Sequence, residues 1–268
     1  MKTISILNLK GGVAKSFTAA NMAYELWRRG YKVLLLDNDK QGNLSKAYGR
    51  YEPESVSPVA RLLAGDWQET EGLIQPTDYE GMDILTANMS LFPAVWNLAQ
   101  GDFMIQYKKF MGTGGTGGDG SAVQDGYDFC IIDNPPDIGA NVASALAATD
   151  EVIVPVKIDE NALEGLDVVA EQVEDARAFN PALTLRGILV TVYQNTDGEK
   201  AGLEWLRRNR VDAGDGGQGR YPLLGIIRYS RKVAESSFLP KPIYEYSPCC
   251  GAAQDYKKFV TAYTGKGR

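Results

Sequence analysis

Near the start of the chain, Leu9-Lys10-Gly11-Gly12-Val13-Ala14-Lys15-Ser16 has the makings of an anion cradle. Gly11 and Gly12 permit a tight turn that aims backbone N–H groups inward. Lys15 can reach the outer phosphates of a nucleotide, and the Ser16 hydroxyl can join the shell of a Mg²⁺ ion. Two features are unusual. Lys10 stands ahead of the glycine pair, and Ala14 occupies the place where such loops carry their last glycine. The Cβ of Ala14 predicts an ordinary φ, which a loop entering a helix can supply. A glycine turn beside a surface lysine is the plainer reading, but the surroundings argue against it. The apolar, β-rich Thr3–Asn8 precedes the loop, and FTAANMAYELWRRG follows it with helical spacing up to Gly30.

Acids at the ends of apolar runs point the same way. Asp37 closes KVLLLD and Asp133 closes YDFCIID. In an open parallel sheet, ligands bind beyond the carboxyl ends of the strands, where carboxylates can hold Mg²⁺ through its waters. Asp39, two residues past Asp37, can approach a γ-phosphate. The chain has no histidine, which excludes His-based acid–base catalysis and Ser-His-Asp triads. Phosphoryl transfer needs neither, because it rests on positioning and electrostatics. Cys130, Cys249 and Cys250 form no disulfide framework and no metal-binding spacing.

The elements that must position these residues are legible as alternating patterns. Continuous apolar runs at 32–37, 127–133, 151–156 and 185–193 predict strands buried on both faces. Helical patterns lie between them, notably ENALEGLDVVAEQVEDARAF. The fold class expected is α/β, a P-loop NTPase with a mostly parallel twisted sheet and helices on both faces, in one domain over residues 1–268. GTGGTGGDGS (112–121) precedes a strand rather than a helix and lacks a following Lys-Ser pair, so it reads as a flexible insertion. DAGDGGQGR (212–220) reads likewise. There is no signal-like segment and no run of eighteen apolar residues, so a cytoplasmic protein is expected. Residues 200–268 carry 13 basic and 6 acidic side chains inside a chain of net charge −6. They form either solvated helix faces or a surface for a polyanion.

KGGVAKS, LLLDNDKQGNLS and YDFCIIDNPPDIG together resemble the ParA/MinD family of deviant Walker-A ATPases. ENALEGLDVV, NPALTLRGILVTVY and IIRYSRKVAESSFLPKPIYEYSP resemble its ParA branch, and the likeness runs from Thr3 to about Val260. The resemblance implies a homodimer that sandwiches two Mg²⁺–ATP molecules. In it the nucleotide lies against Lys10, Gly11, Gly12, Val13, Ala14, Lys15, Ser16 and Phe17. Lys10 would reach across to the partner's phosphates, Lys15 would serve in cis, and Asp39 would orient the attacking water. Asp37 and Asp133 would support Ser16 and the Mg²⁺ waters. The resemblance further implies nonspecific DNA binding by Arg228, Arg231 and Lys232, with Lys241, Lys257 and Lys258 as neighbours. It implies nucleoid association when ATP is bound, and stimulation by a ParB-like protein. The cargo would be a plasmid, a chromosome or a mobile element.

Three positions depart from the family pattern: Ala14, Lys40 in place of a common proline, and Ile227 in place of a proline before Arg228. Two alternatives stay open. A MinD-like membrane-cycling ATPase needs a terminal amphipathic helix, and DYKKFVTAYTGKGR has a short one. Docking of that helix on the domain is expected instead, without stable membrane association. An iron-protein-like ATPase would use the cysteines, but Cys130 reads as a small buried residue.

Overall fold

An apolar run without alternation suits a strand covered on both sides, because every side chain then meets a helix. The computed structural model describes residues 1–98, 105–112, 123–159, 162–208 and 221–265. The Gly-rich stretches expected at 112–121 (Gly112 aside) and 212–220 lie outside the described residues. In chain order the elements are β1 (Lys2–Ile6), α1 (Lys15–Arg28), β2 (Val33–Asp37), α2 (Asn43–Ala47), α3 (Pro58–Ala64), β3 (Gln75–Pro76), β4 (Met82–Leu85), α4 (Leu91–Leu98), α5 (Ile105–Met111) and α6 (Val123–Gly126). They continue with β5 (Phe129–Asp133), α7 (Ala140–Ala147), β6 (Glu151–Lys157), α8 (Ala162–Ala176), β7 (Thr184–Tyr193), α9 (Asp197–Leu206), β8 (Leu223–Arg228), α10 (Arg231–Ser236), α11 (Ile243–Tyr246) and α12 (Gly251–Thr264).

Eight strands form one sheet in the order β3-β4-β2-β5-β1-β6-β7-β8. All neighbours are parallel except β3 and β4. The expected α/β P-loop architecture is therefore present. β1 lies between β5 and β6, so the loop leaving it opens at the centre of the carboxyl edge. In register, Asp37 of β2 pairs with Asp133 of β5, and Ile6 of β1 pairs with the same Asp133. Two of the acids legible in sequence thus stand side by side next to the glycine loop.

Each strand divides its side chains between two faces with period two. Ile4, Ile6, Leu35, Ile131, Ile153 and Ile227 point to α1, α11 and α12. Leu34, Leu36, Cys130 and Ile132 meet α3, α5 and α7. Val152, Val154, Val156, Ile188 and Val190 meet α8 and α9. Full burial of each such side chain is worth roughly 1.5–3 kcal/mol. Cys130 is the small buried residue expected, and burial pushes its thiol pKa up. Ile227 is buried in the first cluster, so the departure from proline there adds apolar contact with α12.

α12 does not stand apart. Tyr256, Phe259 and Val260, the apolar residues of its amphipathic pattern, are buried in the same cluster as α1. Polar contacts fix it at two further points. Thr18 Oγ1 and Tyr256 OH lie 2.8 Å apart, and Asp255 takes the Arg228 guanidinium at the end of β8. No helix among the described residues is long and apolar enough to cross a membrane.

Candidate nucleotide site

The chain leaves β1 and must turn into α1 within a few residues, and it does so with two left-handed residues. Gly12 has φ 73°, which glycine adopts without strain. Ala14 has φ 61° and ψ 36°. The ordinary φ expected for Ala14 is thus corrected: closing the loop onto the first turn of α1 demands the left-handed region, and alanine is held there against its preference. Thr191 Oγ1 at the end of β7 donates to Val13 O (3.1 Å) and pins the loop between the two turns.

The result is an open cradle. A Cβ built on Gly11 or Gly12 would meet no atom within 4 Å, so open space lies over the glycine pair. Gly11, Gly12, Ala14, Lys15, Ser16 and Phe17 line a cleft of about 650 Å³ shared with Asp39. No side chain caps the N-terminus of α1, which leaves its first amides and dipole for an anion. Lys15 is 8% exposed, and its Nζ donates to Lys10 O at 3.0 Å. Burial lowers its pKa, partly offset by Asp133, Asp39 and Asp137.

The acids divide into different tasks. Asp37 accepts from the Asp39 N–H (3.2 Å), the Ser45 N–H (2.8 Å) and the Ser45 hydroxyl (2.7 Å). Its carboxyl therefore builds the turn that carries Asp39 and starts α2. Asp39 Oδ1 in turn accepts from the Gln41 N–H at 2.9 Å. Asp133 is the exception, with both carboxyl oxygens buried and without a hydrogen-bond partner. Burial, then the neighbouring Asp37, push its pKa well up, while the nearby Ser16 and Lys15 act in the opposite sense. Burial also raises Asp37, to about 7. An orphaned buried carboxylate is costly unless a cation or donor arrives. That orphan, the uncapped helix start and the open cradle fit Mg²⁺ with a polyphosphate. Asp37 is engaged by the Asp39 N–H and by Ser45, whereas the Asp133 oxygens have no such donors.

Sequence reasoning missed three contributors. Asn8 bridges the loop to β6, accepting from the Lys10 N–H and donating to Pro155 O. Thr191 buttresses Val13. Asp159 pairs with Lys10 Nζ at 2.5 Å. Asp159 had a signal, since it ends the apolar run EVIVPVKID just as Asp37 and Asp133 end theirs.

Among the basic residues, Lys241 lines the same cleft as the glycine loop, whereas Arg228, Arg231 and Lys232 do not. Arg228 Nε and Nη2 grip Asp255 at 2.7 and 2.9 Å. Arg231 is exposed in the first turn of α10. Lys232 is exposed, ion-paired with Glu235 at 2.7 Å, and lies over the Tyr246 ring. Lys241, Lys257 and Lys258 are exposed. Lys40 lies 3.7 Å from Asp137 and over the Phe92 ring, a contact proline could not make. Cys250 caps α12 through its sulfur, and Cys249 is exposed.

Comparison with known proteins agrees with this geometry. The AAA domain family AAA_31 matches residues 1–185. The chromosome-partitioning ATPase Soj of Thermus thermophilus is 33% identical over 263 residues, covering 97% of this chain and 94% of its own. The chromosome partitioning protein ParA of Caulobacter vibrioides is 27% identical, covering 100% and 96%. A solved structure described as cobyrinic acid a,c-diamide synthase from Mycobacterium smegmatis, with a bound ATP analogue and magnesium, is 26% identical with a TM-score of 0.74, covering 100% and 97%. With the loop, the strand-end acids and near full-length similarity in agreement, the chain belongs to the ParA/MinD family of ATPases, on its ParA branch.

Proposed function

We propose that this ATPase is a nucleotide-driven positioning switch: Mg²⁺–ATP closes two copies face to face, and the closed pair binds DNA without regard to sequence. Hydrolysis to ADP and phosphate then releases it. The observation that carries the reading is Asp133, buried and unpartnered beside an uncapped helix start and a lysine-flanked glycine loop. The names of the relatives, a chromosome-partitioning ATPase and a partitioning protein, support the cargo class: a chromosome, plasmid or mobile element.

The residues then have distinct roles. The loop amides and the start of α1 bind the phosphates, and Lys15 neutralises them from within the same chain. Bound Mg²⁺ supplies positive charge at the outer phosphates, with Ser16 and Asp133 as its protein-side support. Asp39, fixed by the Gln41 N–H and by the turn that Asp37 builds, orients a water toward the γ-phosphorus. As that water adds, the bond to the β–γ bridging oxygen breaks. Lys10 of each copy stabilises the charge that spreads over the other copy's transferring group. Hydrolysis is therefore tied to pairing, and a ParB-like protein is the expected stimulant.

DNA contact is assigned to Arg231, with Lys232 and Arg228 beside it and Lys241, Lys257 and Lys258 as neighbours. Phosphate contacts of this kind need no base reading. The membrane-cycling alternative finds less support, because the apolar face of α12 is buried against β8 and α1. Cys130 in the core and Cys250 at a helix cap offer little to the iron-protein alternative. The deciding measurement is binding to nonspecific duplex DNA by wild type and Lys15→Ala, each with ATP, ADP or no nucleotide. Binding that requires ATP and disappears in the variant is expected. Equal binding in all arms would sink the scheme.

A further inference from the structure

Lys10 does not project freely into solvent. Its Nζ donates to both carboxyl oxygens of Asp159, at 2.5 Å each, within the same chain. Both partners are held in place. The Lys10 N–H donates to Asn8 Oδ1 (2.9 Å), and Asn8 Nδ2 donates to Pro155 O (2.7 Å). One buried asparagine thus ties the start of the glycine loop to β6, the strand that leads to Asp159. On the other side Ile158 packs into the third apolar cluster and abuts α9 at Gly202. A Cβ on Gly202 would stand 2.5 Å from Ile158 Cγ2, so only glycine lets the two approach this closely. The segment carrying Asp159 is wedged, and the loop carrying Lys10 is braced toward it.

We propose that Asp159 is the in-chain counter-ion that holds Lys10 until a partner's triphosphate displaces it. It is then a positioning residue that sets how readily two ATP-loaded copies close. The proposal rests on the reading above, in which Lys10 serves the neighbour's nucleotide. Each partner of the pair is 33% exposed, so the pair is weak enough to be exchanged. A triphosphate offers more charge and more acceptor oxygens than one carboxylate, and a diphosphate lacks the γ-phosphoryl group. The pair therefore discriminates between them: it yields to ATP across the interface and competes better when the partner holds ADP. Two such pairs open for every dimer formed, so their effects multiply.

The test compares wild type, Asp159→Asn and Asp159→Glu by sedimentation, with a slowly hydrolysed ATP analogue or with ADP. Asp159→Asn keeps the side-chain shape and removes the charge. It is expected to dimerise about 2- to 30-fold more tightly with the analogue, for two partly exposed pairs released per dimer. The gap should narrow as salt rises, and Asp159→Glu should return toward wild type. Without nucleotide, acetylation of Lys10 by an N-hydroxysuccinimide ester, read by peptide mass spectrometry, should be several-fold faster in Asp159→Asn. An unchanged dimerisation constant in Asp159→Asn while wild type dimerises normally overturns the proposal alone. So does an unchanged rate of Lys10 labelling. A wild type that stays monomeric with the analogue at every concentration overturns the sandwich reading, and the proposal with it.

Discussion

Ala14 shows how much one Cβ can matter. The left-handed region costs an L-residue with a Cβ roughly 1–2 kcal/mol, and glycine largely escapes that cost. Ala14→Gly should therefore stabilise the nucleotide-free protein by about 0.5–1 kcal/mol after the extra freedom of glycine in the unfolded chain is allowed for. The expected rise in midpoint temperature is about 1–4 °C by thermal unfolding. A lower midpoint would mean that the loop does not hold this residue left-handed. Asp37 and Asp133 supply a pH dependence. Burial raises both, Asp37 to about 7, so the folded chain keeps protons that the unfolded chain gives up. The stability they contribute is complete below the ordinary carboxylate range; the share of Asp37 is lost as pH rises through about 7, and that of Asp133 is lost in the same direction. Between about pH 5 and about pH 8 the midpoint of metal-free protein should fall on their account. Asp133→Asn should flatten that fall and raise the midpoint at the upper end. Stabilisation by Mg²⁺–ADP in wild type should grow over the same interval, because ion binding releases protons. Matching pH slopes in wild type and Asp133→Asn would contradict this. Neither effect was readable in the sequence. The lysines, Ser16 and the acids were evident from type and spacing, but φ at Ala14 is set by loop closure, and the orphaning of Asp133 by the sharing out of donors to Asp37.

Among the elements, legibility followed burial. β2, β5, β6 and β7 were readable because strands covered on both faces are uninterrupted apolar runs. β1 ends at Ile6 rather than Asn8, although the Leu7 N–H still donates to Ile153 O at 3.1 Å and the Asn8 side chain bonds to Pro155 and Lys10. β3 is two residues long, and β4 (MDIL) carries a half-buried Asp83, so neither has enough pattern to stand out. Strand order was not readable at all, because it is fixed by contacts distant in sequence. The joint between β8 and α12 is another such contact. Arg228 and Asp255 form a fork there, and Asp255 also accepts the Arg228 N–H at 3.0 Å. Arg228→Ala and Asp255→Asn should be non-additive in urea unfolding, with a coupling of about 0.5–1 kcal/mol, kept small by the exposed guanidinium. Additive effects would show that the fork does not hold α12.

The whole molecule is electrically lopsided. Residues 117–199 carry 3 basic and 16 acidic side chains, while residues 200–268 carry a net charge near +7. The proposed dimer would present every basic side chain twice, so the salt dependence of the proposed DNA binding would report the phosphates neutralised by the pair. Replacing Arg231 by alanine should weaken binding across all DNA sequences. It should also reduce the log–log salt slope by about 2, because each of the two copies then leaves one phosphate un-neutralised. A slope that does not change would remove Arg231 from the interface.

Thr18 and Tyr256 touch across a separation of 238 residues. The helix that begins at the glycine loop therefore packs against a segment that leaves the ribosome 238 residues after it. At about 5–20 residues per second, synthesis leaves α1 waiting tens of seconds for that neighbour. A nascent chain stalled before α12 should leave Thr18 and the apolar face of α1 without their partner, however much of the sheet has already assembled. Translation of α12 thus sets the moment at which the helix behind the glycine loop can settle into its packed position.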